Sequence, residues 1–374
     1  MTYPRPVYLE PGFPTMKVIS SFGGTEFTLP KFDTPITPRE NFIRAARRDN
    51  PLWVPNHLTD MQEFQHNELG EHKPGIFQGG PDFIRASAED YTFLDPYGNS
   101  WTWVASAQGA MLTPGTKILD DITKWEKVIK WPVHDEWTYR EVAQKFMAEQ
   151  YDPTKALHIN IFQGLTEMLV AFLGGYGEGM LAMIEEPEAV SDLFAFFAER
   201  MIAFYDLMKS LYPLDMVTYH DDWGTQRATF FSPAMLEELV YEPTKKIVDH
   251  IRADGVIFQF HTCGKIDSFV PYICRLGIEY NQIQRSAVDI PAVKAAYGNK
   301  TGINTSVEGH IPGVQYTQEQ MAEFARTCVD LYAKGGGYYP WIFEKDPESL
   351  WSFTTEMYAY SREFYDKAIY TRGR

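Results

Sequence analysis

The sequence predicts an α/β fold, a closed (β/α)8 barrel, and three observations predict it. Short apolar runs bounded by turn residues alternate with well-capped helical patterns along most of the chain. That alternation is the mark of parallel strands joined by right-handed crossovers. The chain has 374 residues, enough for one large barrel. No G-x-G-x-x-G turn follows the first apolar run, which argues against an open, doubly wound sheet.

The elements follow in order. Residues 1–35 are rich in Pro, Gly and Thr and read as an arm laid over the body. Residues 36–374 read as a single barrel domain. Thr37-Pro38-Arg39-Glu40 places a cap hydroxyl, a first-position proline and a reciprocal Glu at a helix start. Leu52 to Pro55 reads as the first strand, and a further strand, completing eight, falls between His57 and Gly80. Residues 81–135 do not fit a bare barrel. Within them, Asp95-Pro96-Tyr97-Gly98-Asn99 followed by Ser100-Trp101-Thr102-Trp103 predicts an inserted β-hairpin with an aromatic face. Helices opened by Thr123 with Glu126 and Thr138 with Glu141 come next.

The remaining strands are Leu157 to Phe162, Met216 to His220, Val256 to His261, Ile278 to Ile283, Thr301 to Thr305 and Gly337 to Trp341. Between them Glu186-Pro187, Ser232-Pro233 and Thr317 with Gln320 open helices. After Pro187, Leu193, Phe197, Met201, Phe204, Met208 and Leu211 recur at helical spacing and form a core-facing stripe. Gly335-Gly336-Gly337 enters a strand instead of opening a helix, so it predicts a tight turn and not a phosphate cradle.

Composition bounds the function. A net charge of −16 disfavours nucleic acid and anionic membrane as partners, since both reward an excess of Lys and Arg. Three cysteines in so long a chain argue against a disulfide framework and for a reducing compartment. The N-terminus lacks a basic start and apolar run, and the apolar stretch Met168 to Ile184 is broken by Gly174, Gly175, Gly177 and Glu178. The expectation is a cytoplasmic protein, monomer or homodimer.

In a parallel barrel the reacting groups sit at the C-terminal ends of the strands. Those ends carry Asn56-His57, Gln163, His220-Asp221-Asp222, His261-Thr262-Cys263, Gln282-Ile283-Gln284, Asn304 and Trp341. His261 and Cys263 are two apart in a strand and therefore share a face, offering a nitrogen and a sulfur suited to zinc. Asp222, Glu167 or His220 would supply a third ligand; Cys274 and Cys328 lie in helical patterns and read as core thiols. Adjacent Asp221 and Asp222 must point in opposite directions, one toward the barrel axis and one toward the surrounding shell.

With these pieces in place, the chain resembles the uroporphyrinogen decarboxylase superfamily, in its cobalamin-dependent methyltransferase branch, over roughly residues 37–365. The resemblance rests on Pro38-Arg39-Glu40-Asn41-Phe42 through Pro51-Leu52-Trp53-Val54-Pro55, Asp95-Pro96-Tyr97-Gly98, and Ile118-Leu119-Asp120-Asp121 leading to Trp131-Pro132. It continues through Gly164-Leu165-Thr166-Glu167, Asp221-Asp222-Trp223-Gly224-Thr225-Gln226, Phe260-His261-Thr262-Cys263-Gly264, Gly302-Ile303-Asn304-Thr305 and Gly335-Gly336-Gly337-Tyr338. It implies a (β/α)8 TIM barrel with its site at the C-terminal mouth. It also implies transfer of a methyl group between a small molecule and a corrinoid (cobalamin) carried on a partner protein. In the coenzyme M branch zinc is held by His-x-Cys plus a later Cys. His261 and Cys263 match, but no cysteine stands near Tyr339 to Trp341, which favours another third ligand and another donor.

The expected activity is that of methyltransferase I of anaerobic O-demethylase systems: methyl removed from an aromatic methyl ether and passed to Co(I) corrinoid. The alternatives are a zinc-dependent second-step enzyme acting on a thiol or tetrahydrofolate, or a decarboxylase. The decarboxylase carries an Arg-rich segment after its first strand, where this chain has Pro55-Asn56-His57-Leu58-Thr59-Asp60. The expected site is His261, Cys263 and Glu167 for metal, and His220, Asp222 and His261 for catalysis. Trp53, His57, Trp223, Gln284, Asn304, Tyr338 and Trp341 are expected to bind substrate.

Overall fold

The structure is a computed structural model and describes residues 2–19, 25–65, 89–95, 97–106, 109–131, 136–161 and 163–372. The arm is a two-stranded antiparallel hairpin, β1 (Thr15–Ile19) and β2 (Glu26–Pro30). It is pinned to the last helix, Pro347–Arg372, where Arg5 pairs with Glu356 and Glu363 and Trp351 Nε1 donates to the Pro6 carbonyl.

The body is a seven-stranded parallel sheet flanked by helices, a TIM-barrel-like α/β fold. Its order is β12 (Tyr338–Trp341), β11 (Gly302–Ser306), β10 (Tyr280–Ile283), β9 (Ile257–Thr262), β8 (Met216–His220), β7 (Ala156–Ile161) and β3 (Met61–Gln65). β3 is the strand expected between His57 and Gly80. Phe162, expected to end β7, lies outside the described residues.

Leu52 to Pro55 is not a strand. Pro51 and Pro55 have no N–H to give a ladder. Side chains satisfy the backbone instead: Asn41 Oδ1 accepts from Leu52 N at 2.7 Å, Asn41 Nδ2 donates to the Trp53 carbonyl at 2.9 Å, and Ser361 Oγ accepts from Val54 N at 3.0 Å. Apolar content alone does not distinguish such a braced segment from a ladder strand.

The insertion is a three-stranded antiparallel sheet rather than a hairpin: β4 (Tyr91–Leu94), β5 (Ser100–Val104) and β6 (Gly109–Leu112). Asp95 organises the β4–β5 turn by accepting from Tyr97 N, Asn99 N and Trp101 Nε1 at 2.8–2.9 Å. Residues 81–88, 107–108 and 132–135 of the insertion lie outside the described set.

Three of the six expected helix starts carry a side-chain cap, at Thr37, Ser232 and Thr317, and Pro187 opens its helix without one. Thr37 Oγ1 accepts from Glu40 N, and Thr317 with Gln320 closes both halves of a capping box. Two differ. Asp121, not Thr123, caps the turn Ile122–Lys124, and Thr138 falls inside the helix Glu136–Glu149. The apolar stretch from Met168 divides into helices Leu165–Leu173 and Tyr176–Glu185, bent by 105° at Gly174 and Gly175. Among the described residues, no single helix is long and apolar enough to cross a membrane.

The barrel interior is apolar at its floor and polar above. Phe42, Met61, Ala156, Met216, Ile257, Tyr280 and Tyr339 plug the end where the strands begin. One layer higher, Thr218 Oγ1 meets His158 Nε2 at 2.7 Å and accepts from Gln259 Nε2 at 3.0 Å. Tyr339 Oη donates to Gln259 Oε1. This polar column leads up to the mouth.

Candidate functional site

Parallel register builds the site. His220 on β8 pairs with His261 on β9, and His261 pairs with Gln282 on β10. Side chains alternate along each strand, so His220, Asp222, His261, Cys263, Gln282 and Gln284 fall on one face of neighbouring strands or their extensions.

Asp222, His261 and Cys263 converge: one ligand atom from each lies within 4.8 Å of the others. Cys263 Sγ is 3.4 Å from His261 Nε2, and Asp222 Oδ1 is 3.6 Å from the same nitrogen. Asp222 Oδ1 also accepts from Cys263 N at 2.7 Å, tying the loop after β8 to the loop after β9. These loops touch so closely that Gly264 has no room for a side chain: at φ +86°, a Cβ would sit 2.2 Å from the Gly224 carbonyl oxygen.

His261 is held by a relay. Its Nδ1 meets Gln282 Oε1 at 2.7 Å, Gln282 Nε2 donates to Asn304 Oδ1, and Asn304 Nδ2 donates to the Tyr339 carbonyl at 3.0 Å. The amide ends of Gln282 and Asn304 are thereby assigned. Gln282 presents oxygen, so Nδ1 of His261 carries the proton and Nε2 keeps its lone pair toward Cys263 and Asp222. That is the usual outer support of a metal-ligating imidazole. Gln282→Leu removes the acceptor and is expected to weaken metal binding about 10- to 100-fold, while Gln282→Glu retains it. Chelator competition on the purified variants checks the difference; equal affinities would refute the relay.

Asp221 points the other way. It is fully buried and accepts from Thr166 N, Thr166 Oγ1, Glu167 N and Trp223 Nε1. It therefore caps the helix Leu165–Leu173, whose Gly164 start has no room for a Cβ against Asp221 and Tyr219. Glu167 enters on the first turn of that helix and stands beside the Asp222–His261–Cys263 trio, not within it. Burial raises its pKa well above the ordinary carboxylate value, and the Asp222 and Asp221 charges add to the effect.

His220 is adjacent, its ring centre 4.5 Å from that of His261. Asn160 Nδ2 donates to Glu63, so Asn160 Oδ1 is left to accept from His220 Nε2 at 2.9 Å. Burial, with His261 and His158 nearby, holds the ring neutral. His220 is thus set as a neutral imidazole with its proton on Nε2.

The residues expected to bind substrate separate into two groups. Gln284 and Trp341 are at the mouth. Gln284 Oε1 accepts from Gly264 N and Gln226 Nε2, and Trp341 packs on Phe343 with ring centres 4.0 Å apart. Asn304 is buried and acts through the relay. Trp223 is sealed among Phe231, Phe260 and Phe269. Tyr338 faces outward to Tyr332, because its neighbour Tyr339 takes the inward position. Trp53 is bound to Asp60 on the far side of the segment. His57 is held against the Pro340 carbonyl with its Nδ1 enclosed and unpartnered.

Sequence reasoning missed Gln282 and Asn160 as supports of the two histidines, although both are readable from strand register. It also missed Tyr176, whose ring stacks on Phe230 at 4.2 Å. Burial raises the Tyr176 phenol's pKa, and charge on Glu167, Asp222 and Cys263 adds to it. The stacked pair stands at the surface, with Tyr176 exposed, within electrostatic reach of the trio.

Comparison with solved structures gives a likeness of fold. The solved methyltransferase from Methanosarcina mazei is 12% identical, covers 88% of this chain and 99% of its own, and superposes with a TM-score of 0.59. A B12-independent methionine synthase from Shewanella sp. W3-18-1, solved with selenomethionine, is 11% identical over 76% of each chain with a TM-score of 0.43. No curated protein sequence matches the chain. A family model described as uroporphyrinogen decarboxylase (URO-D) matches residues 168–343, the stretch that contains Asp222, His261, Cys263 and Gln282. Over that stretch, a little under half of the chain, the sequence is similar to the uroporphyrinogen decarboxylase family.

Proposed function

We propose that the chain is a methyltransferase that takes methyl from an aromatic methyl ether and passes it to the Co(I) corrinoid of a partner protein, with zinc as its resident metal. The observation that carries the reading is the Asp222–His261–Cys263 trio at the barrel mouth. One carboxylate oxygen, one imidazole nitrogen with its lone pair free and one thiol are donor types that zinc accepts, and three protein ligands are the usual number at a catalytic site. The donors present therefore fit the metal.

Asp222, His261 and Cys263 would hold the zinc, and when bound it supplies a Lewis acid for charge building on a leaving oxygen or thiol. The protein's own residues do the rest. Gln282 and Asn304 fix the His261 ring, so no reorientation is needed at the moment of reaction. Asp222 fixes the Cys263 backbone. The Tyr176–Phe230 stack lies within electrostatic reach of these residues and would give an aryl group an aromatic partner that methanol or a methylamine does not need. The fold shared with the Methanosarcina mazei methyltransferase supports the same class of transfer.

The test is spectroscopic. Free Co(I) cobalamin is mixed with the purified protein and, in turn, methoxy-aromatics, methanol and methylthiols. Consumption of Co(I) is expected with methoxy-aromatics alone. Turnover confined to methylthiols would replace this reading with a thiol methyltransferase, and no turnover with any donor would remove it.

A further inference from the structure

Gln163, at the barrel mouth, carries two costs at once. It stands two residues past the end of β7 and is buried, with 4% of its surface exposed. Its backbone is left-handed, at φ +54°. That conformation is unfavourable for an L side chain and free for glycine. Among the described residues, Leu9, Arg48 and Asn50 are the other non-glycine cases. Leu9 and Asn50 are exposed, and Arg48 is the left-handed cap of the helix Pro38–Arg47. Gln163 closes no helix; it precedes Gly164, which opens the helix Leu165–Leu173.

The second cost lies in the side chain. The Gln163 amide has no hydrogen-bond partner among the described residues, and its Oε1 is sealed from solvent. A buried amide without partners has given up its bonds to water and gained none in return. Glycine at this position would remove both costs. Together they mark a side chain kept for a contact that the protein alone does not make.

Its place is beside the site. The N–H of the peptide joining Gln163 to Gly164 donates to the His220 carbonyl at 2.7 Å. Gln163 therefore sits at the top of β8, next to the His220 ring that lies 4.5 Å from that of His261. Asn160, on the same strand, supports His220, and Glu167, on the helix that follows, stands beside the trio. An amide that no hydrogen bond restrains turns about its last torsion at little cost, so it can present oxygen or nitrogen to a ligand.

The inward strand positions narrow what that ligand carries. Among the described residues they include the carboxylates Glu63 and Asp222 and no Lys or Arg. A substrate carboxylate brought here would be an unpaired charge out of water. A hydroxyl donates to Oε1 or accepts from Nε2 and adds no charge.

We propose that Gln163 is a substrate-binding residue of the mouth and that the ether it selects bears a free ring hydroxyl. The preferred substrate is a methoxyphenol, ahead of methoxybenzene or a methoxybenzoate. Its hydroxyl supplies the partner that the Gln163 amide lacks. This rests on the methyltransferase reading and adds to it the ring substituent and the residue that reads it. A site built to bond a hydroxyl rejects the analogue without one, because its own buried group is then left unpaired.

The probes are the three methoxyphenol isomers, methoxybenzene and 3-methoxybenzoate, titrated calorimetrically into the full chain, with loss of Co(I) cobalamin followed in parallel. The best-bound methoxyphenol is expected to bind at least 10-fold more tightly than the other two compounds. Gln163→Met keeps the length and loses the amide. It is expected to weaken methoxyphenol at least 10-fold and to leave methoxybenzene within about 2-fold. Gln163→Gly suits the left-handed backbone and is expected to do the same, so the result is read even if one variant fails to fold. Equal binding of methoxybenzene, tighter binding of methoxybenzoate, or an undiminished preference in either folded variant would overturn the proposal. A Gln163-dependent preference without loss of Co(I) would remove methyl transfer and keep hydroxyl recognition. Loss of Co(I) at equal rates with methoxybenzene and methoxyphenol, without a binding preference, would do the reverse.

Discussion

Cys263→Ser is expected to strip the metal from the protein and to lower methyl transfer by roughly 100-fold or more, since even outer supports of a metal ligand are worth 10- to 100-fold. A serine hydroxyl is a hard, protonated donor at neutral pH, whereas the thiolate is the soft anion that zinc prefers. The more informative comparison is with the two carboxylates. Asp222 lies within the ligand trio and Glu167 stands beside it. Asp222→Asn should therefore lose metal as Cys263→Ser does, while Glu167→Gln should retain it. Metal analysis of the four purified proteins checks this directly. Retention of metal by Asp222→Asn together with loss from Glu167→Gln would transfer the third ligand to Glu167.

Stability is expected to fall as pH drops from 6.5 toward 4, with His57 supplying about 3 kcal/mol of the loss, since each tenfold difference in proton affinity between the folded and unfolded chain is worth about 1.4 kcal/mol. The ring as a whole is only partly covered, but Nδ1 is sealed from solvent and has no partner. Protonating it would create a buried N–H cation facing no acceptor. Burial accordingly lowers the His57 pKa to about 4, while Glu63 and the Pro340 carbonyl pull weakly the other way. In the unfolded chain the same imidazole titrates near 6.5. Below that value the unfolded state takes up a proton that the folded state refuses. The stabilisation is complete above pH 6.5 and is lost as pH falls through the folded value. His158 is buried in the same column and its pKa is lowered by burial too, so it adds in the same direction. Urea unfolding of the chelator-treated protein between pH 7.5 and 4 measures the slope, with metal competition removed. His57→Gln should flatten it; an unchanged slope would mean that His57 is not the group responsible.

Much of the site follows from local rules. His261 and Cys263 share a face, and Asp221 and Asp222 diverge, because side chains alternate along an extended backbone. The caps at Thr37 and Thr317 follow from the orphan N–H groups of a helix start. The errors are equally physical. Leu52 to Pro55 has the composition of a buried strand, yet its two flanking prolines hand the backbone to Asn41 and Ser361. Tyr338 and Tyr339 are adjacent tyrosines, and nothing within the run Gly337 to Trp341 states which phase faces the axis. Trp223 follows the acidic pair toward the mouth in sequence but turns into the core, because Asp221 accepts its Nε1 from behind.

By itself, then, the sequence determined the alternation of strands and helices, the arm, and the His-x-Cys pair, since each depends on spacings of a few residues. Only the tertiary structure decided that Asp222 and not Glu167 converges with His261 and Cys263, and that Gln282 orients His261. Those outcomes depend on register between strands and on packing between segments far apart in the chain, where local periodicity carries no information.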